Sequence, residues 1–128
     1  MLAVFQNNRL ARVLGTARGP FLLLTPACVG LGAALAGIDA STYGASRGWL
    51  HALLALIGAL AAHVSVNALN EYSDFRSGLD LHTRRTPFSG GSGTLPRHPE
   101  LAPDALALGL ASLALAAAHG MRSLAFPA

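Results

Sequence analysis

The sequence has little charge, no lysine and a single cysteine. Charged residues make up 12% of its 128 residues, against roughly 25% in a typical soluble domain. The single cysteine, Cys28, excludes a disulfide within the chain, and it lies in an apolar run where a thiol is usually inert. All nine basic residues are arginines that flank apolar blocks without interleaved aromatics, which argues against a nucleic-acid-binding surface.

Hydrophobic residues, by contrast, make up 52% of the chain and form three long blocks. We predict membrane-spanning helices over residues 20–38, 49–70 and 103–119, because such blocks approach the length that crosses a bilayer. The third block is short for a span unless its helix extends in both directions. Residues 1–19 contain three arginines among apolar residues and are expected to form a helix on the membrane surface; a cleaved signal peptide is the competing interpretation.

The predicted fold class is therefore all-α, a transmembrane helical bundle. Small residues of the first span, such as Gly30 and Gly32, are available for close helix packing. Most arginines lie before the first span and between the second and third spans. By the positive-inside rule, the N-terminus and the polar loop 71–102 are expected on the cytoplasmic side of the cell (inner) membrane, in a multi-pass protein.

The end of the second span has the most informative polar residues. Carboxamides and carboxylates follow one another at helical spacing, at Asn67, Asn70, Glu71 and Asp74. Such groups are costly in lipid and usually mark a functional cavity. Gly78 is expected to end the helix and turn Asp80 back toward Asp74. Oxygen ligands of this kind suit Mg²⁺, which usually takes one or two carboxylates together with substrate phosphates.

Residues downstream of the motif suit an anionic substrate. Arg84 and Arg85 are placed to neutralise phosphate oxygens, and the glycine-rich segment 89–94 is able to present backbone N–H groups to an anion. Each feature has an ordinary alternative. The arginines would equally anchor the loop at lipid headgroups, and the glycine run would equally be a flexible loop.

The run Asn67-x-x-Asn70-Glu71-x-x-Asp74-Phe75-x-x-Gly78-x-Asp80 resembles the first aspartate-rich motif of the UbiA superfamily of intramembrane prenyltransferases. Its Asp-Phe-x-x-Gly-x-Asp spacing is most similar to the MenA branch, which prenylates 1,4-dihydroxy-2-naphthoate in menaquinone synthesis. The stretch from Arg85-Thr86-Pro87 to Gly91-Ser92-Gly93 fits the loop that follows in that branch. The resemblance covers roughly residues 15–118. Outside the motif, the spans resemble those of the family only in being apolar, and not in specific residues.

This resemblance implies nine transmembrane helices around a cavity in which two aspartate-rich motifs hold Mg²⁺ on a polyprenyl diphosphate. The implied reaction transfers the polyprenyl group to an aromatic acceptor. Asn70, Asp74 and Asp80 would be catalytic and, with Glu71, would bind the metal. The diphosphate would contact Asn67, Arg76, Arg84, Arg85, Gly91 and Ser92.

Two features depart from the family pattern. Glu71 stands where the family usually has Asp. No second acidic motif follows the third span, because Glu100 and Asp104 are the only acids after Asp80. We therefore interpret the sequence as about three spans of the nine-helix fold, a partial enzyme expected to be inactive alone. The alternatives are a small non-catalytic membrane protein that binds anionic lipid or a partner through its basic loop, and part of a cation-coupled transporter.

Two residues near the motif have open roles. His63 shares the polar stripe and is either a functional ligand or a hydrogen-bonding partner of a neighbouring helix. Tyr72 lies between motif residues and either contacts the acceptor or packs.

Overall fold

A computed structural model describes residues 8–35, 45–84, 86 and 91–125 of the chain. This part is mostly helical and contains no β-strand, which confirms the all-α prediction for it. The elements are α1 (Arg9–Gly15), α2 (Gly19–Leu22), α3 (Leu24–Leu35), α4 (Ala45–Ser77), α5 (Leu79–His82), α6 (Thr94–Arg97), a 3₁₀ turn (Pro99–Leu101) and α7 (Ala102–Ala125).

Two of these helices are long and apolar enough to cross a membrane, over Trp49–Ser77 and Pro99–Met121. The bent pair Arg9–Gly15 and Gly19–Leu35 makes a third if it counts as one span. Many large apolar side chains of these helices are exposed, among them Leu53, Ile57, Leu110 and Leu113. A surface of this kind favours contact with lipid, so the structure supports the prediction of a membrane protein.

The two long helices, α4 and α7, pack side by side and run in opposite directions. Gly58, in the first half of α4, lies against His119 near the end of α7, whereas Leu69 lies against Gly109 nearer its start. Small residues along the contact let the two backbones approach closely. Buried small residues of the two helices are Ala61, Ser65 and Ala68 on α4 and Ala102 and Ala105 on α7.

In the part of the chain that the structure describes, Gly30 and Gly32 of the first span do not have this role. A β-carbon added at Gly30 or at Gly32 would meet no atom within 4 Å. The close helix packing expected there is instead found between α4 and α7, because Gly109 and Gly58 have neighbours that a side chain would displace.

The N-terminal helix bends away from the helix that follows it, by 59°. Arg18 at the bend has a left-handed backbone (φ 55°), and its guanidinium lies 4.5 Å from the centre of the Phe21 ring. Asn8 caps α1 by accepting a hydrogen bond from the Leu10 amide at 3.0 Å. The predicted helix within residues 1–19 is therefore present from Arg9, but Val13 points into the protein, so α1 is not only a surface helix.

Segment 71–102, which the composition predicted to be a loop, is largely helical where it is described. It contains the end of α4, α5, α6 and the 3₁₀ turn. The third span begins at Ala102, one residue from the predicted start, and the 3₁₀ turn and residues to Ala125 lengthen it in both directions.

A small apolar core joins these polar segments to the long helices. It consists of Val13, Leu95, Leu101, Ala102 and Ala105. Tyr72, Phe75 and Leu108 pack against it while remaining partly exposed. The core therefore holds α1, α6 and the start of α7 against the last turns of α4, which is the end of that helix that has the motif.

Candidate functional site

The motif residues lie on α4 and on the turn that follows it. Asn67, Asn70 and Asp74 are on the last three turns of α4, which ends at Ser77. Gly78 then takes a left-handed conformation (φ 77°), as a residue without a β-carbon does at little cost. Asp80 on α5 is thereby turned inward and is only 5% exposed. The predicted helix end at Gly78 is present, and Asp80 is turned inward; its carboxylate lies beside Gly91, and an approach of Asp80 to Asp74 stays a prediction.

Asn67 faces the bend after α1. Its Nδ2 donates a hydrogen bond to the carbonyl oxygen of Ala17 at 2.8 Å. Asn67 thus ties α4 to a residue 50 positions away, a structural use that its assignment to the diphosphate did not anticipate. Asn70 is exposed and Asp74 is half-buried, so both are accessible from outside the protein.

Glu71 makes the most extensive polar contact of the site. Its Oε2 and Oε1 accept hydrogen bonds from the backbone N–H of Ser92 at 2.8 and 3.0 Å, and Oε1 also accepts from the Ser92 hydroxyl. The side chain is 2% exposed. A buried carboxylate is costly unless it is hydrogen-bonded, and Ser92 satisfies that requirement.

The glycine-rich segment thus binds an anion, and this anion is a carboxylate of the same chain. Gly91 and Gly93 on either side of Ser92 both have φ 70°, a conformation that glycine adopts readily. A β-carbon at Gly91 would lie 3.0 Å from Oδ1 of Asp80 and 3.2 Å from Oε2 of Glu71. The backbone of Gly91 therefore lies against both carboxylates.

Further hydrogen bonds hold this loop in place. The backbone N–H of Thr94 donates to Oγ of Ser92 at 3.0 Å, and the hydroxyls of Ser92 and Thr94 are 2.7 Å apart. Arg97 donates from Nε to the Gly93 carbonyl at 2.8 Å and from an Nη to the Ser92 carbonyl at 3.3 Å. Neither Thr94 nor Arg97 was among the predicted site residues. Arg97 follows Gly93, the N-cap of α6, by four residues. This distance is about one helical turn, and it brings the Arg97 side chain within reach of the Gly93 carbonyl.

The arginines that were predicted to bind phosphate lie at the surface where the structure describes them. Arg76 and Arg84 are exposed, and Arg85 lies outside the described residues. Among the residues that the structure does describe, no three His, Cys, Asp or Glu side chains come together as a metal-binding group. Two carboxylates, those of Glu71 and Asp80, both lie beside Gly91.

Two residues with open roles turn out to have structural contacts. His63 Nδ1 and the hydroxyl of Thr25 are hydrogen-bonded at 2.7 Å, which joins α4 to α3. This is the contact with a neighbouring helix that was one of its two expected roles. Tyr72 packs against the core cluster, which is likewise the simpler of its two alternatives.

A second group of charges lies at the same end of the helices. Arg9 and Asp104 form an ion pair at 2.8 Å. Nδ1 of His98 is 3.4 Å from Nη1 of Arg12 and 3.2 Å from Oε1 of Glu100. An open cleft of about 260 Å³ is lined by Arg9, Arg12, Glu100 and Leu101. These contacts fix α1 to the start of α7.

Compared with protein-family models, with curated proteins and with solved structures, the chain has no match.

Proposed function

We propose that this chain forms the first diphosphate-binding half of a Mg²⁺-dependent prenyltransferase of the UbiA type, within a transmembrane helical bundle. The observation that carries the proposal is the position of Asn70, Asp74 and Asp80. All three lie at one end of a helix long enough to cross a membrane, where Gly78 returns the chain toward that helix. Oxygen donors at this place suit an anionic headgroup whose tail remains in the bilayer.

The donor set fits magnesium. A magnesium ion shared with a diphosphate needs only one or two protein carboxylates, since phosphate oxygens and water complete its coordination. Asp74 and Asp80 would provide these carboxylates, and Asn70 a carboxamide oxygen. Because Asp80 is only 5% exposed, the loop that lies against it would have to move for Asp80 to reach the ion. When bound, the ion neutralises negative charge on the diphosphate and so favours departure of that group.

The residues of the chain bind and orient the polyprenyl diphosphate. Arg76 and Arg84 are both exposed, and their guanidinium groups would bind the phosphate oxygens that the metal does not coordinate. The allylic C–O bond breaks with its electron pair on the diphosphate, and a ring carbon of the aromatic acceptor forms the new C–C bond and then loses its proton. An acceptor such as 1,4-dihydroxy-2-naphthoate is electron-rich enough for this step.

The proposed site lies on the cytoplasmic face of the cell (inner) membrane. This orientation follows from the distribution of arginines, which are concentrated before α2 and between α4 and α7. The family reaction uses two aspartate-rich motifs, whereas these 128 residues contain only the first of them. We therefore propose substrate binding for this chain and prenyl transfer only in combination with a second motif.

A non-catalytic alternative has its own supporting observation. Asn67 and Glu71 are used in internal hydrogen bonds, whereas Arg76 and Arg84 are exposed. An exposed pair of arginines beside a membrane span would also suit anionic lipid headgroups. On this alternative, the chain binds lipid or a partner through its basic segment and needs no metal.

Binding of farnesyl diphosphate to the full chain in lipid nanodiscs separates the two functions. The prenyltransferase proposal expects binding that needs Mg²⁺, is lost with EDTA and falls at least about tenfold in Asp74→Asn. Asp104→Asn is the matched control, because Asp104 lies outside the motif. The opposite result would contradict the proposal and support the lipid-binding alternative: an affinity for farnesyl diphosphate that is unchanged by EDTA and by Asp74→Asn but is lower in Arg84→Gln.

A further inference from the structure

We propose that Glu71 is a positioning residue, which holds the loop Gly91–Thr94 over Asp80, and that it does not ligate the metal. The consequence for metal binding rests on the proposed function, whereas the structural role of Glu71 in holding the loop does not. The carboxylate of Glu71 and the loop are 21 residues apart in sequence, so their contact closes the polar segment onto the end of α4.

The hydrogen bonds of Glu71 leave little capacity for a cation. An ionised carboxylate offers about four lone-pair sites. The Ser92 amide hydrogen is shared between both oxygens, and the Ser92 hydroxyl donates to Oε1. Glu71 is 2% exposed, so a metal ion that bound its remaining lone pair would have to displace surrounding protein, which includes Ser92 and Gly91.

The same contact determines the surroundings of Asp80. Ser92 is fixed on Glu71, and the preceding residue, Gly91, lies so close to Asp80 that a β-carbon would be 3.0 Å from Oδ1 and 3.4 Å from Oδ2. The loop backbone thereby covers the Asp80 carboxylate. Release of Ser92 would uncover it, although Asp80 itself would be unchanged.

The conservative substitution Glu71→Asp distinguishes the two roles. Asp is the residue that the resembled family usually has at this position, so a metal-binding role would tolerate it. A positioning role would not, because the shorter side chain withdraws its oxygens by about one methylene from Ser92. Glu71→Gln tests the charge, since its amide NH₂ would meet the Ser92 N–H where an acceptor is needed.

Amide hydrogen exchange of the full chain in nanodiscs, without metal or substrate, tests the positioning role. We expect the Ser92 amide to exchange at least about tenfold faster in Glu71→Gln and Glu71→Asp, the factor for losing a hydrogen bond to a charged group. Ser92→Ala keeps the backbone donor and should raise exchange in residues 91–94 by a smaller factor. Glu100→Gln, at the only other glutamate, should leave these residues unchanged.

A second measurement addresses the metal. Mn²⁺ binding with inorganic pyrophosphate, followed by electron paramagnetic resonance, should persist in Ser92→Ala and in Glu71→Gln. Unchanged exchange at Ser92 in both Glu71 variants would overturn the positioning role. So would loss of Mn²⁺ binding in Glu71→Gln with unchanged loop exchange. Failure of the wild-type chain to bind Mn²⁺ and pyrophosphate would instead count against the proposed function and leave the exchange result standing.

Discussion

Leu69 and Gly109 lie where α4 and α7 approach each other closely. A β-carbon at Gly109 would lie 2.7 Å from the side chain of Leu69 and 3.2 Å from its backbone nitrogen. The backbone of α4 cannot move away here without displacing two motif residues, namely Asn70, which follows Leu69 directly, and Asp74, which lies just over one turn further on. The packing of the two long helices and the placement of the candidate site therefore depend on the same contact.

Gly109→Ala should destabilise the protein by about 1–3 kcal/mol, because the added methyl group overpacks the contact with Leu69. Gly120→Ala is the matched control on the same helix, since a β-carbon there meets nothing within 4 Å. The control should be neutral or stabilising by up to about 1 kcal/mol, through helix propensity. Thermal unfolding in detergent micelles, followed by circular dichroism, measures both. Equal effects of the two substitutions would show that α4 and α7 do not pack as described.

Asn67→Asp should cost about 1–3 kcal/mol of stability. The substitution removes the N–H donor to the Ala17 carbonyl and places a carboxylate oxygen against it. Asn70→Asp makes the same chemical change at an exposed position and should alter stability by less than about 0.5 kcal/mol. The comparison uses the same micelle unfolding assay. A larger loss in Asn70→Asp than in Asn67→Asp would contradict the contact between α4 and the bend after α1.

Thr25→Val should weaken the association of α3 with α4 by about 0.6–2 kcal/mol, the usual strength of a hydrogen bond between membrane helices. Valine has nearly the shape of threonine but lacks the hydroxyl that bonds to His63. Thr25→Ser keeps the hydroxyl and should retain most of the stability. Unfolding by increasing fractions of a denaturing detergent provides the measurement. A serine variant as weak as the valine variant would assign the effect to packing and not to the hydrogen bond.

The ion pair of Arg9 with Asp104 should contribute about 0.2–1 kcal/mol, because the two side chains are 70% and 33% exposed. A double-mutant cycle with Arg9→Gln and Asp104→Asn measures this coupling energy. The coupling should decrease as the salt concentration rises to about 1 M, where the Debye length is about 3 Å. A coupling energy that is indifferent to salt would mean that the two residues interact by another route.

The sequence predicted those parts of the structure that depend on neighbouring residues. The end of α4 before Gly78 and the start of α7 at Ala102 follow from local glycine and proline signals, and the long apolar blocks correspond to the candidate spans. Most contacts of the site join distant positions and were not predictable in this way. The pattern around Glu71 indicated an acidic residue near a functional cavity, but nothing local to it identifies Ser92 as its partner.

The partner of the glycine-rich segment was likewise not predictable from the sequence. Its composition suggested backbone N–H groups for a substrate anion, and in the structure the backbone N–H of Ser92 binds the carboxylate of Glu71. Composition indicates that the ligand is an anion, but it does not tell whether the anion belongs to a substrate or to the same chain. The roles of Asp74, Asp80 and the arginines toward Mg²⁺ and diphosphate stay predictions, as do the acceptor and the reaction.

The contact of α1 with the start of α7 also sets an order of events during synthesis. Arg9 and its partner Asp104 are separated by 95 positions, which a ribosome needs about 5 to 20 seconds to translate. During that interval α1 has been made but α7 has not, so the two helices cannot yet pack together. The apolar residues of α1 would then contact the membrane surface or a chaperone. The helix α1 therefore leaves the ribosome well before its partner in α7, and it reaches its final place only after that partner has been made.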